Sequence, residues 1–166
     1  MTMQLGKNPG GAQNGFTLIE LVVVITILGI LAAFALPRSA ALQAQARMAT
    51  MNAALGSIKA AAALAHSVQL TQNLGADTDI VMEGSTIPMT NGYPTTALNS
   101  IGHAAGLVDA AGNAVQGYLP VATSATVFTV TPDADHPACA VTYTVSAVPG
   151  TAPTYNSAGV TEANCR

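Results

Sequence analysis

Gly15-Phe16-Thr17-Leu18-Ile19-Glu20-Leu21-Val22-Val23-Val24-Ile25-Thr26-Ile27-Leu28-Gly29-Ile30-Leu31-Ala32-Ala33-Phe34-Ala35-Leu36 is the stretch from which the rest of the chain can be read. From Phe16 to Leu36 there are 21 residues and one charge, Glu20. At the α-helical rise, 21 residues span about 31 Å, the thickness of a bilayer hydrocarbon core. The composition therefore predicts a membrane helix. Two features set it apart from a plain anchor. Glu20 lies one turn inside the apolar run, where a carboxylate is costly unless it has a partner or a purpose. Gly15 lies directly before Phe16 and offers a small residue at which a peptidase can cut. Upstream, Met1 to Gly15 is polar, glycine-containing and without periodicity, and reads as a leader.

A cut between Gly15 and Phe16 would create an α-amine beside Glu20, or beside the Glu20 of a neighbouring chain. In a stack of such helices, an intermolecular amine–carboxylate pair would neutralise both charges and fix the axial register. Buried ionic contacts can set register even where they add little stability. A different cut must be weighed. Ala33-Phe34-Ala35 fits the pattern of ordinary signal peptidase and would release a soluble domain starting at Leu36. That cut leaves Glu20 unexplained and places Pro37 just after the break. Lys7 on one side, with Arg38 and Arg47 on the other, leaves orientation undecided by charge.

The whole chain of 166 residues suits one modest domain. Half of it is hydrophobic and only 8% is charged, against about a quarter charged in ordinary soluble domains. Net charge is −3 and there is no basic cluster, which argues against nucleic acid as a partner. The two cysteines, Cys139 and Cys165, lie outside any C-x-x-C spacing. In a chain that crosses a membrane they fit an oxidising compartment and one disulfide, with two unconnected buried thiols as the alternative.

From Arg38 the pattern turns amphipathic. Met48, Met51, Leu55, Ile58, Ala62 and Ala65 recur at steps of three and four, and predict a helix continuing from Phe16 to about Asn73, with Gly75 as its stop. Arg47, Asn52 and Lys59 fall off this stripe. Ala76 to Gly117 reads as a connecting region with a short Ala-rich helix over Thr95–Leu107. Tyr118–Ala122, Thr126–Thr131 and Cys139–Val148 read as strands, with a turn at Pro132–Pro137. The expected fold class is α+β: a long N-terminal helix packed on a small antiparallel sheet, ladle-shaped.

The quoted stretch resembles the class III signal of type IV pilins and pseudopilins. The resemblance implies a prepilin peptidase that cuts after Gly15 and methylates the amine of Phe16, and it makes Glu20 the assembly glutamate. Gly29 and Pro37 match positions where family helices bend, and both residue types weaken a helix. The implied domains are a leader (1–15), a transmembrane and filament-core helix (16–36) and a globular pilin domain (37–166). Pro37-Arg38, Met82-Glu83-Gly84 and Asn91-Gly92-Tyr93-Pro94 resemble the mannose-sensitive haemagglutinin branch more narrowly. The cysteines resemble the disulfide-bounded loop of pilins, whereas major pseudopilins use a calcium-binding loop.

The implied function is a structural pilus subunit supporting surface attachment. Its partners are other copies of itself, the prepilin peptidase, the assembly machinery and, before assembly, the inner membrane. The implied location is the inner membrane first and the extracellular pilus afterwards. Two alternatives stand beside it: a type II secretion pseudopilin, and a membrane-tethered periplasmic domain that never polymerises.

No nucleophile–base arrangement, phosphate loop or zinc spacing is visible, so neither an enzyme nor a cofactor is expected. His66, His103 and His136 carry no motif. His136 with Asp133 and Asp135 reads as a solvated turn rather than a cation site. Asp77, Asp79 and Glu83 offer oxygen ligands but lack the spacing of an EF-hand loop.

Overall fold

A computed structural model describes residues 15–166, so the leader apart from Gly15 lies outside the described residues. Contacts divide the chain into two units, Met1–Arg38 and Ser39–Arg166. One helix, α1 (Leu18–Thr71), carries residues of both and includes the positions of Gly29 and Pro37. Each end is two residues short of the expected bounds, and local chemistry sets both.

At the start, Thr17 and Glu20 form a capping box. The Glu20 N–H donates to Thr17 Oγ1 at 3.3 Å, and the Thr17 N–H donates back to Glu20 Oε2 at 3.3 Å. Two amides that no helical carbonyl can reach are thereby satisfied. At the end, Asn73 takes a left-handed φ of 52°. Its N–H bonds the carbonyl of Leu70, and the Leu74 N–H bonds that of Gln69, both at 3.1 Å. This is a Schellman stop with asparagine in the glycine role. Asn73, not Gly75, thus ends the helix.

Within Ser39–Arg166 the expected stripe is the buried face of α1. Met51, Ile58, Ala62 and Ala65 are wholly buried, while Met48 and Leu55 are half-buried against the same core. The sheet opposite is a four-stranded antiparallel meander: β5 (Leu119–Ala122), β6 (Val127–Thr131), β7 (Val141–Thr144) and β8 (Thr154–Asn156). Strand alternation turns Phe128, Val130, Val141 and Tyr143 inward, leaving Thr129, Thr142 and Thr144 half-exposed. Phe128, Tyr143 and Tyr155 align across three strands. The buried Tyr143 hydroxyl donates to the Pro94 carbonyl at 2.7 Å. Burial, then the nearby phenols of Tyr155 and Tyr93, push its ionisation far up, so it stays a neutral donor.

The region expected to be a mere connection holds two hairpins. β1 (Ile80–Met82) pairs with β2 (Ser85–Ile87), and β3 (Met89–Thr90) with β4 (Tyr93–Pro94). Each turns through two residues of positive φ, Glu83-Gly84 and Asn91-Gly92, as tight hairpins require. Ile80, Ile87 and Met89 close a second, smaller core on Ala65. In place of the short Ala-rich helix expected over Thr95–Leu107 there is a π-helical turn, Leu98–Gly102, followed by a short helical stretch at 103–104. The last expected strand is also shorter, Val141–Thr144, because the chain leaves it at Ser146 and returns as β8.

Candidate functional site

The Phe16–Ala35 segment has no buried residue. Phe16 is 84% exposed and Phe34 74%, and between them Leu21, Val22, Val23 and Val24, four successive positions that together go round the helix, are all exposed. Thr17 and Thr26 are satisfied within the segment, and Glu20 through one of its two carboxylate oxygens. Thr26 Oγ1 bonds the carbonyls of Val22 and Val23 at 3.0 and 2.8 Å. Thr17 Oγ1 donates to Glu20 Oε2 at 3.0 Å. Such internal satisfaction is what a hydrocarbon medium demands of a polar group. The capping box also holds the Glu20 carboxylate on the Thr17 N–H, one residue beyond Phe16 of the expected cleavage pair. The T-x-x-E signature before an apolar run was present in the sequence and could have revealed the role of Thr17.

Along residues 39–71 the face of α1 opposite the core is made of small residues. Ala46, Ala49, Ala53, Gly56, Ala60, Ala63 and Ser67 are exposed there, as are the larger Leu42, Leu64 and Leu70. The charged side chains of this stretch turn elsewhere. The Arg47 guanidinium meets Asp133, Nε to Oδ2 at 3.2 Å, and the Lys59 ammonium lies over the Tyr155 ring at 5.5 Å.

Cys139 and Cys165 are joined in a disulfide, with Cα atoms 4.9 Å apart. Both are wholly buried in the main core, so the C-terminal tail is tied just before β7. Closing this loop stabilises by about 3–4 kcal/mol on the chain-entropy estimate. Gly159 fits under the bridge, where a Cβ would meet the Ala138 carbonyl oxygen at 2.6 Å.

The remaining candidates are committed to structure. Asp77 accepts the Asn91 N–H at 2.9 Å and Asp79 accepts the Met89 N–H at 3.1 Å, so both anchor the β3–β4 hairpin. Among the described residues, no three acidic, histidine or cysteine side chains gather as a metal group. His66 stacks on Tyr93 at 4.3 Å and donates from Nδ1 to the Gly92 carbonyl at 2.7 Å. His103 borders an open polar pocket of about 180 Å³ that Ser85, Thr86, Asn99 and Asp109 also line. Asp109 is held below the usual carboxylate range, chiefly by the Asn113 main-chain N–H and carboxamide.

Residues 11–36 match the family described as the prokaryotic N-terminal methylation motif. Over 52 residues the chain is 49% identical to the type IV narrow pilus major component PilA5 of Thermus thermophilus, a stretch covering 31% of this chain and 45% of that protein. The matched stretch spans less than half the length of that relative. No solved structure matches the chain. The first match is to a processing motif and the second to a pilus component, each over less than a third of this chain. Neither bears on the mannose-sensitive haemagglutinin branch.

Proposed function

We propose that this chain is a structural subunit of a type IV pilus, polymerising through its N-terminal helix and supporting surface attachment. The observation that carries the reading is the segment from Phe16 to Ala35, apolar and exposed all round, with one carboxylate at its head. Its apolar surface has no partner within its own unit and needs lipid first and other copies afterwards.

The sequence of events in this proposal is the one the resemblance implies. Cleavage after Gly15 creates an amine at Phe16, which is methylated. The segment then holds the subunit in the inner membrane as a reservoir. On assembly, Phe16–Leu36 of many copies exchange lipid for one another. Apolar burial is conserved in that exchange rather than created, so the assembly machinery must supply the work. Glu20 enters the new environment already bonded through Oε2 to Thr17. Its Oε1 is left to accept the Phe16 amine of a neighbour, and a pair so buried fixes register. Gly29 and Pro37 give the helix places to bend as copies pack. Beyond the membrane, the small-residue face of α1 lets helix backbones approach closely, as small residues do wherever helices pack tightly.

The test compares Glu20→Ala and Glu20→Gln with the parent chain in its host. Both variants should insert in the membrane with a folded, disulfide-bonded domain, yet yield few or no filaments. Normal filament yield from Glu20→Ala would favour a tethered domain that acts without polymerising. The disulfide favours a pilin over a pseudopilin, since pseudopilins rest on a calcium loop. Stability of the folded domain should therefore respond to reductant and not to a calcium chelator.

A further inference from the structure

His136 lies in the turn between β6 and β7, its side chain only 15% exposed. Its Nδ1 is 2.6 Å from Asp133 Oδ1, and its Nε2 is 2.9 Å from the main-chain oxygen of Arg166. Both neighbours are acceptors. The Arg166 oxygen has no proton to give. Asp133 is ionised, because it also accepts from the main-chain N–H groups of Asp135 and His136, at 3.0 and 2.9 Å, and from Arg47. Its carboxyl group is held below the usual range, first by the His136 side-chain hydrogen bond.

A neutral imidazole carries one N–H, on one nitrogen. Placed here, it would turn a lone pair toward one of two oxygens at hydrogen-bonding distance. Only the imidazolium donates to both. We propose that His136 is a proton-dependent latch: charged, it fastens the chain at Arg166, just beyond the disulfide, to the β6–β7 turn.

The charged groups around the ring fit this role. Asp133 approaches from the turn itself, while Asp135 is exposed beside it and bonds Asp133 through its main-chain N–H. Arg47 approaches from α1, but Asp133 lies between the two cations and bonds both. Arg47 also donates from Nη1 to the Cys165 carbonyl at 3.2 Å, so the helix, the turn and the tail meet at one cluster. The disulfide is a covalent floor under it, so opening the latch frees the main chain at Arg166 without unfolding the domain.

The sign of the pH dependence follows from each partner. A latch closed by the imidazolium is full at low pH and lost as pH rises and the ring gives up its proton. The depressed Asp133 acts in the other direction: its contribution is present above the ordinary carboxylate range and lost only as pH falls through its lowered value.

The test is a nitrogen-15 NMR titration of the full chain in detergent, disulfide intact, from about pH 5 to about pH 8, across which an unperturbed imidazole discharges. Both ring nitrogens of His136 should be protonated at the acid end. Their deprotonation should coincide with faster hydrogen exchange at the Cys165 amide, which bonds the Thr161 carbonyl at 3.0 Å, once the intrinsic pH dependence is removed. His136→Gln should abolish that step in exchange. If the variant fails to fold, the parent ring alone decides. A ring that discharges with the Cys165 amide unmoved, or one that is neutral throughout with the tail held, overturns the proposal.

Discussion

Two lengths of the same helix obey opposite rules. Residues 18–35 leave every apolar side chain exposed, whereas residues 39–71 bury one stripe and expose a face of small ones. The second length finds its partner within its own chain, in Phe128, Val130, Val141 and Tyr143. The first finds none within its own unit among the described residues, so its stability depends on what surrounds it. Helix propensity and length do not separate the two; the distribution of apolar residues around the circumference does. A stripe signals an intramolecular partner and an unbroken apolar girdle signals an external one.

That contrast can be attacked from either side. Phe128→Ala removes a wholly buried ring from the core of Ser39–Arg166, and such truncations cost about 3–5 kcal/mol. Chemical denaturation in detergent should register the loss, while membrane insertion of the first length should be unchanged. Failed insertion would mean that the two lengths are not independent. Replacing Cys139 and Cys165 together by alanine should cost about 3–4 kcal/mol in the same assay, and again spare insertion. A smaller change sharpens the comparison from the other end. Thr17→Val removes the capping hydroxyl at the head of the first length, at a cost of about 0.5–2 kcal/mol to the helix start. Fraying should appear at Leu18–Leu21 by hydrogen exchange, with denaturation of the domain unmoved.

How much could be read in advance follows the same division. The first length was legible because its signal is compositional: 21 residues with a single charge need no tertiary information. The stripe from Met48 to Ala65 was legible because it repeats. Capping was readable but passed over at Thr17, and at the other end Asn73 rather than Gly75 took the left-handed position. The hairpins were harder. Their strands are two or three residues long, too short to show alternation, although Asn91-Gly92 is a recognised turn signal. β8 was missed for the same reason of length. Ala-rich composition misled over Thr95–Leu107, where Ile101 and Leu107 are drawn into the core and the chain makes one π turn instead. The Arg47–Asp133–His136 cluster joins residues 86 positions apart in the chain. No local pattern announces a contact at that distance; Arg47 was visible as a flanking charge and as a residue off the stripe.

The most direct test is the mass and N-terminal sequence of the mature chain, taken from filaments sheared off the native host. The proposal requires a chain that begins at Phe16 and carries one methyl group on its amine. A chain that begins at Leu36 would contradict it, because the whole apolar length would then be a discarded signal. An uncut chain beginning at Met1 would contradict it too, leaving that length as a simple anchor with no amine for Glu20 to receive.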